Sequence, residues 1–233
     1  MAWRGEFAFG PAAMVFRGDS AENRFHAHAA VQCVYSPLGT QLQDEHGTTY
    51  RGAGWMIRSG TVHCLAPASR LVLILVEPQS PLARGLSAVH STEAIAPLHE
   101  QVIAVIEASP EIHGLLPQLE QHLVASVPAV DPRVAKALDQ LEVIQARDPA
   151  AVAAVQAGVS TSRLRALCRA QFGVPFSKLI VWRKVRRACL AMSRGQTLAQ
   201  AAADAGFSDQ AHLTRTMSDV IGLTPGEAAR ASD

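Results

Sequence analysis

The spacing of hydrophobic positions changes along this chain, from short alternating runs in the first third to every third or fourth residue over the remainder. Up to about residue 90 the apolar stretches are brief: Ala12, Val15 and Phe16, then residues 29–35, 48–51, 54–57 and 71–76. Gly18, Gly39, Gly47, Gly52 and Gly60 punctuate them at intervals that predict the strands and turns of a small β-barrel. Next, residues 92–109 carry Ile95, Leu98, Val102, Val105 and Ile106, and residues 111–127 carry Leu115, Leu116, Leu119, Leu123 and Val127. Both stripes predict helices, broken at Pro110. The stretch from Val127 to Pro132, with Pro128 inside it, predicts a short linker.

The last third states one pattern twice. Residues 157–175 (AGVSTSRLRALCRAQFGVP) and 205–225 (AGFSDQAHLTRTMSDVIGLTP) each run through glycine, an apolar residue and serine into a helical stretch, then reach a second glycine and a proline. A glycine that permits a tight turn, followed by a serine able to accept the free amide hydrogens of a new helix, describes a helix-turn-helix. Asp148-Pro149 predicts the start of the helix before the first turn, with Ala151, Val152 and Val155 as its apolar face. Thr197 predicts the cap of the helix before the second, which carries Leu198, Ala201, Ala202 and Ala205.

After the first turn, Leu164, Leu167 and Cys168 point to a core and leave Thr161, Ser162, Arg163, Arg165 and Arg169 outside. After the second, Leu213, Met217 and Val220 point inward and leave Ser208, Asp209, Gln210, His212, Thr214 and Arg215 outside. Both outer sets can hydrogen-bond base edges or phosphates. Between the copies, Leu179, Trp182, Val185, Cys189 and Met192 define one amphipathic helix whose other faces carry Lys178, Arg183, Lys184, Arg186 and Arg187. That helix would fix the separation of two DNA readers and offer a basic flank to the backbone.

Charge sharpens this division. The 233 residues have a formal net charge of +1, but from Asp131 onward 14 Lys and Arg face 9 Asp and Glu, a net +5, while the first 130 residues hold 7 against 11, a net −4. Clustered positive charge is the footprint of nucleic-acid binding, which sets this half apart from helix-turn-helix units used only for packing. Hydrophobic content of 48% gives ample core for two domains of about 100 residues. The N-terminus lacks a basic start followed by an apolar run, and no segment approaches the roughly 20 apolar residues of a membrane span, so a cytoplasmic chain is expected. Cys33, Cys64, Cys168 and Cys189 show no Cys-x-x-Cys spacing and are read as reduced, packed thiols.

Histidines mark the N-terminal half. His26, His28 and Gln32 share one strand face by parity, and His63 follows Gly60 in a later strand. The spacing His26-x-His28, Gln32, Gly39, and then Gly52, Gly60, His63, Pro67, resembles the two signature motifs of cupin barrels. Gln32 stands where metal-binding cupins have Glu, Arg58 where they usually have Pro, and Pro67 where they usually have Asn. The resemblance implies that His26, His28, Gln32 and His63 point into the barrel, where Tyr35 and Trp55 could line the same ligand pocket. Three imidazoles at one point can hold a divalent metal, with His26, His28 and His63 as the candidate ligands. An organic ligand pocket or a satisfied polar cluster is the competing reading of the same residues.

Residues 131–233 are similar to the DNA-binding domain of the AraC-type transcriptional regulators. The resemblance rests on Ser160, Ser162, Leu164 and Gly173, on Trp182, Arg183, Arg187 and Ala188, and on Leu198, Ala201, residues 206–210 (GFSDQ), His212, Arg215, Gly222, Thr224 and Pro225. Ala166, Cys168, Met217 and the Ser218-Asp219 pair depart from the family's usual residues. The resemblance implies an α+β chain: a cupin-like sensor barrel over residues 1–90, a helical dimerisation or covering segment over 91–127, a linker over 128–132 and a double helix-turn-helix over 133–233. It implies a DNA-binding regulator responding to a small-molecule effector, a homodimer held by the leucine-rich helix, and no catalytic residues or cofactor. The alternative is a metal-dependent cupin enzyme or metal sensor with a DNA-binding tail.

Overall fold

The structure, a computed structural model, describes residues 3–124, 129–140 and 148–230. Strands β1 (Arg4–Phe9), β2 (Ala13–Asp19), β3 (Val31–Asp44), β4 (Thr49–Ile57), β5 (His63–Leu65), β6 (Leu71–Val76) and β7 (Ile95–Pro97) join in one antiparallel sheet. Its order is β1-β2-β6-β3-β4-β7, with β5 on the far half of β3. The register of β3 against β4 shifts between Tyr35 and Thr40, so this strand bends and pairs β6 with its first half and β5 with its second.

Strand β6 shows how one apolar run serves two cores. Leu71, Leu73 and Leu75 face the same side as Phe16, Val34, Ile57 and Leu65, whereas Val72, Ile74 and Val76 face the side of Val15, Cys33 and Met56. A strand buried on both faces needs no polar alternation. The second side is closed by α1 (Pro81–Val89), α2 (Glu100–Ala108) and α3 (Ile112–Leu123).

Two departures from the hydrophobic pattern appear here. Residues 92–109 are not one helix: Ile95–Pro97 forms β7 on the edge of β4, and α2 begins only at Glu100, capped by His99. Pro97 explains this, because a proline there would clash with the preceding helical turn and drives Ala96 towards an extended conformation. Helix α1 lies inside the stretch read as strands alone; Ser80 caps it by accepting from the Ala83 amide at 3.1 Å, with Pro81 in its first turn.

The leucine stripe of α3 is spent within the chain. Leu115, Leu116, Leu119 and Leu123 are all buried against the sheet and α1. A Cβ on Gly85 would lie 2.2 Å from the Leu123 carbonyl oxygen, so only glycine allows α1 to sit this close. The outer face of α3 is polar, with His113, Glu120 and Gln121 exposed. A dimer contact through the leucines, as the sequence suggested, is therefore not available in this fold.

The C-terminal half is helical: α4 (Pro132–Gln140), α5 (Pro149–Gln156), α6 (Thr161–Phe172), α7 (Phe176–Ser193), α8 (Leu198–Asp204), α9 (Gln210–Ile221) and α10 (Pro225–Arg230). Residues 125–128, which include the first residue of the expected linker, lie outside the described residues. Trp182, Phe176 and Val185 of α7 form the centre on which the other helices pack. The expected caps are present: Asp148 accepts from Ala151, Ser160 from Arg163, and Thr197 forms a reciprocal capping box with Gln200. Helix α5 is rotated from its expected setting. It buries Ala150, Ala153 and Ala154 and leaves Val155 78% exposed, because small alanines let α4 and α6 approach closely.

Candidate functional site

Helices α6 and α9 are the second helices of the two repeats, and each begins with its amide end capped by a side chain. On α6, Ser162, Arg163, Arg165 and Arg169 are exposed and Thr161 is half-buried. On α9, Gln210, His212 and Arg215 are exposed, and the half-buried Thr214 donates its hydroxyl hydrogen to the Gln210 carbonyl at 2.8 Å. Asp209, also exposed, accepts from the His212 amide at 2.7 Å, and that bond holds its carboxyl below the usual carboxylate range. Ser208 donates to Asp209 at 3.0 Å and lies 3.1 Å from Nδ1 of His212. Each helix thus presents a row of polar side chains at and beyond its amide end, where phosphate oxygens are favoured.

The basic face of α7 is divided. Arg183 and Arg186 were expected to flank DNA, yet both turn to the N-terminal half and meet Glu77, the residue after β6. Arg183 Nε lies 3.4 Å from one Glu77 oxygen and Arg186 Nη1 lies 3.3 Å from the other. Arg186 also donates to the carbonyl oxygens of Gly10 and Pro11, and Arg183 donates to that of Leu138 at 2.5 Å. Glu77 is 4% exposed, so the pairing satisfies a buried carboxylate that would otherwise be unfavourable. Arg187, by contrast, is exposed and lies 3.5 Å from the Asp204 carbonyl oxygen. Sequence reasoning passed over Glu77; its only signal was a lone acid ending a wholly apolar strand.

Helices α6 and α9 both end on the N-terminal half. Gly173 and Gly222 close α6 and α9 in the left-handed conformation, at φ 73° and 72°. A Cβ on Gly222 would meet His26 Nδ1 at 2.9 Å and the Arg24 carbonyl oxygen at 3.0 Å. Beside Gly173, Val174 packs against Gly60, whose added Cβ would lie 2.9 Å from Val174 Cγ1. The segments around residues 23–28 and 58–63 are thus the seats of the two helix ends.

The same two segments bring the histidines together. His26 and His63 exchange both backbone hydrogen bonds at 3.0 Å as an isolated antiparallel bridge, so their side chains fall on one side with ring centroids 4.4 Å apart. The ring of His28 lies 5.6 Å from that of His26 and 5.5 Å from that of His63. One ligand nitrogen from each of the three histidines lies within 4.8 Å of the others. Each Nδ1 is next to a carbonyl oxygen: Arg24 for His26 at 2.8 Å, Ala30 for His28 at 3.0 Å and Thr61 for His63 at 3.0 Å. A carbonyl only accepts, so each Nδ1 carries the hydrogen and each Nε2 of the neutral rings keeps a lone pair.

Burial keeps these rings neutral. It is the largest influence lowering all three pKa values, bringing His26 to about 4 with a further push from His28, and His63 well below its ordinary range with pushes from His26 and His28. Gln32 Oε1 lies 2.9 Å from His28 Nε2 and 3.3 Å from His63 Nε2, while its own Nε2 is buried without a partner among the described residues.

Next to this cluster is a cavity of about 590 Å³ between the two halves. Trp3, Phe7, Met14, Phe16, Leu73 and Leu75 wall it from the sheet; Met192, Ile221 and Leu223 close it from the helices; His26, His28 and Gln32 form a polar side. Among the described residues no lysine or arginine lines it, while Glu6 does. His28 also packs on Trp182 of α7, with ring centroids 5.5 Å apart. Two expected pocket residues lie elsewhere. Tyr35, with the opposite parity on β3, faces the helical cover and donates to Glu107, and Trp55 packs edge-on against Tyr50.

Comparison with known proteins agrees with this architecture. Residues 153–231 match the helix-turn-helix domain family. Among solved structures, ToxT from Vibrio cholerae bound to an unsaturated fatty acid is similar at a TM-score of 0.64 and 11% identity, covering 95% of this chain and 96% of that one. ToxT from Vibrio cholerae O395 is similar at 0.62 and 13% identity, covering 94% and 98%. No curated protein sequence matches the chain. Among the described residues no helix is long and apolar enough to cross a membrane.

Proposed function

We propose that this chain is an AraC-type transcriptional regulator that binds DNA, reads its operator with α6 and α9 and answers to a small apolar molecule held between its two halves. The observation that carries the DNA half is the duplicated unit: two capped helices, each exposing arginine and short polar side chains, with the 18-residue α7 between the two units. Such a pair fits successive major-groove faces about one helical turn apart. Arg163, Arg165, Arg169, Gln210, His212 and Arg215 are assigned to the duplex on the strength of their exposure on α6 and α9, and Arg183 and Arg186 are left to the boundary with the N-terminal half, where they meet Glu77.

The effector reading rests on the cavity. Its walls are aromatic and aliphatic, it is built by both halves, and its polar lining includes His26, His28, Gln32, Asn23 and Glu6, with no lysine or arginine among the described residues to neutralise a ligand carboxylate. The fatty acid carried by ToxT supports an apolar ligand class; the absence of a lining cation favours a neutral head group here. A molecule bound there would change the contact of α7 and α9 with the sheet and so bias the DNA-reading arrangement. The protein acts as a regulator in the cytoplasm and not as an enzyme, and any homodimer must use a surface other than the α3 leucines.

Selecting genomic fragments on the purified chain tests the reading. It should enrich one motif with two contacted segments about one helical turn apart, and ligands of the expected class should raise the melting temperature and shift affinity for that motif. Fragments retained without any common motif would overturn it.

A further inference from the structure

The geometry points to a second small-molecule site, on the sheet face away from the C-terminal helices, that takes a zwitterion carrying one carboxylate and one ammonium group, as a free α-amino acid does. It lies outside the effector cavity described above and shares no lining residue with it.

A cleft of about 720 Å³ lies between the sheet and the junction of α2 with α3. Strand register builds its floor. Arg4 pairs with Asp19, Arg17 with Val72, and Val72 with Tyr35, so these side chains share one face of the sheet. Arg70, in the turn before β6, joins them from one side, and Glu107 of α2 with Pro110 beyond it closes the other.

Three observations carry the proposal. Arg4, Arg17 and Arg70 line the cleft together with Asp19 and Glu107, yet among the described residues none of the three guanidiniums forms an ion pair with a carboxylate. Arg17 is the least satisfied of them. Its head group is held by donating to the Pro110 carbonyl oxygen, while its Nε is buried without a partner. Burial is the largest influence lowering the pKa of that guanidinium, against the opposing pull of Glu6 and Glu111. Arg70 sits at φ 54°, the one non-glycine residue at positive φ among those described, and its amide donates to Asp19 Oδ1 at 3.0 Å. A non-glycine residue in that region is strained, and such strain gathers at ligand-binding places.

Opposite charges thus border one cleft and leave each other unpaired across it. An anion alone would suit the guanidiniums and be repelled by Asp19 and Glu107; a cation alone would meet the reverse. A zwitterion answers both, its carboxylate accepting from the planar forks of Arg4 and Arg17 and its ammonium donating to Glu107. The Tyr35 hydroxyl donates to one Glu107 oxygen, and burial followed by that bond pushes Tyr35 up to about 12, so it remains a donor and leaves the other oxygen for the ligand. Val72 and Ile106, both buried beside these groups, offer apolar contact to the ligand's side chain.

Isothermal titration calorimetry of the full chain with each of the twenty common α-amino acids tests the site. At least one should bind one-to-one, and its N-acetyl and carboxamide derivatives should each bind at least about tenfold more weakly, the loss of one charge-assisted hydrogen bond. Arg17→Gln and Glu107→Gln should each weaken binding to a similar degree. Arg51→Gln, which removes an exposed cation on β4, should not. Should Arg17→Gln fold poorly by circular dichroism, Arg4→Gln decides, because Arg4 is exposed at the start of β1. Binding of no amino acid, binding undiminished in both Arg4→Gln and Glu107→Gln, or blocked derivatives as tight as their parent would each overturn the site. Acetate binding as tightly as the amino acid would overturn it too, by showing an adventitious anion only.

Discussion

Glu77 and Arg186 are 109 residues apart in the chain and lie 3.3 Å apart across the boundary between sheet and helices. With Arg183 on the same carboxylate, the pair commits two cations of the most basic helix to holding the domains together. Replacing Glu77 by Gln should take the counter-ion from two partly buried guanidiniums, leaving them only backbone carbonyl acceptors and loosening their hold on the N-terminal half. The variant should melt at lower temperature, bind DNA more tightly at low salt and show a steeper salt dependence. Anisotropy titrations over a salt series measure this; an unchanged slope would mean that the arginines stay docked without Glu77.

Salt dependence of the wild type should reflect Arg163, Arg165, Arg169 and Arg215. Each phosphate neutralised contributes a log-log slope of about −0.9. Arg215→Ala should flatten the slope by about one unit if it meets a phosphate, and Arg186→Ala should not flatten it. The reverse ranking would show that α7 contacts the duplex directly.

Sequence preference should reside at the amide ends of α6 and α9. Arg163→Ala and Gln210→Ala should each relax discrimination at one position by about 1–3 kcal/mol, as expected for loss of a bidentate base contact. Competition binding with single-base operator variants reads this out. Uniform weakening against every sequence would assign these side chains to the backbone.

The α3 stripe gives an opposite expectation to its sequence reading. Leu119 is fully buried, so Leu119→Asp should destabilise the N-terminal half by several kcal/mol and yield misfolded protein instead of a soluble monomer. Gln121→Asp, on the exposed face, should be nearly silent. A folded, monomeric Leu119→Asp protein would restore the dimer role of the leucines.

Much of this organisation was legible in the residues, and the failures share a cause. The capped helices of the C-terminal half follow from local signals at Asp148, Ser160 and Thr197, which act within one helical turn; in the second repeat the cap is Asp209 and not Ser208, the serine that the repeat pattern pointed to. His26, His28 and Gln32 do lie together, but not by parity within one strand: β3 begins only at Val31, and the two histidines sit in the irregular segment before it, where the bridge between His26 and His63 brings them to His63. What escaped was tertiary. The docking of Arg183 and Arg186 depends on Glu77 arriving from another domain, the burial of the leucines depends on Gly85 admitting α3, and Tyr35 and Trp55 were placed by composition when parity and register decide. Helix α1 was legible at Ser80-Pro81, by the same signal read correctly at Asp148-Pro149. Pro97 likewise marked the break that became β7.

The central claim is that α6 and α9 read DNA as a rigid pair, and the most direct measurement is protection of a selected operator by the full chain in hydroxyl-radical footprinting. The account predicts two protected patches on one face of the duplex, about one turn apart, with the first lost in Arg163→Ala and the second in Gln210→Ala. One continuous patch unaffected by either substitution, or no protection on any selected fragment, would contradict it.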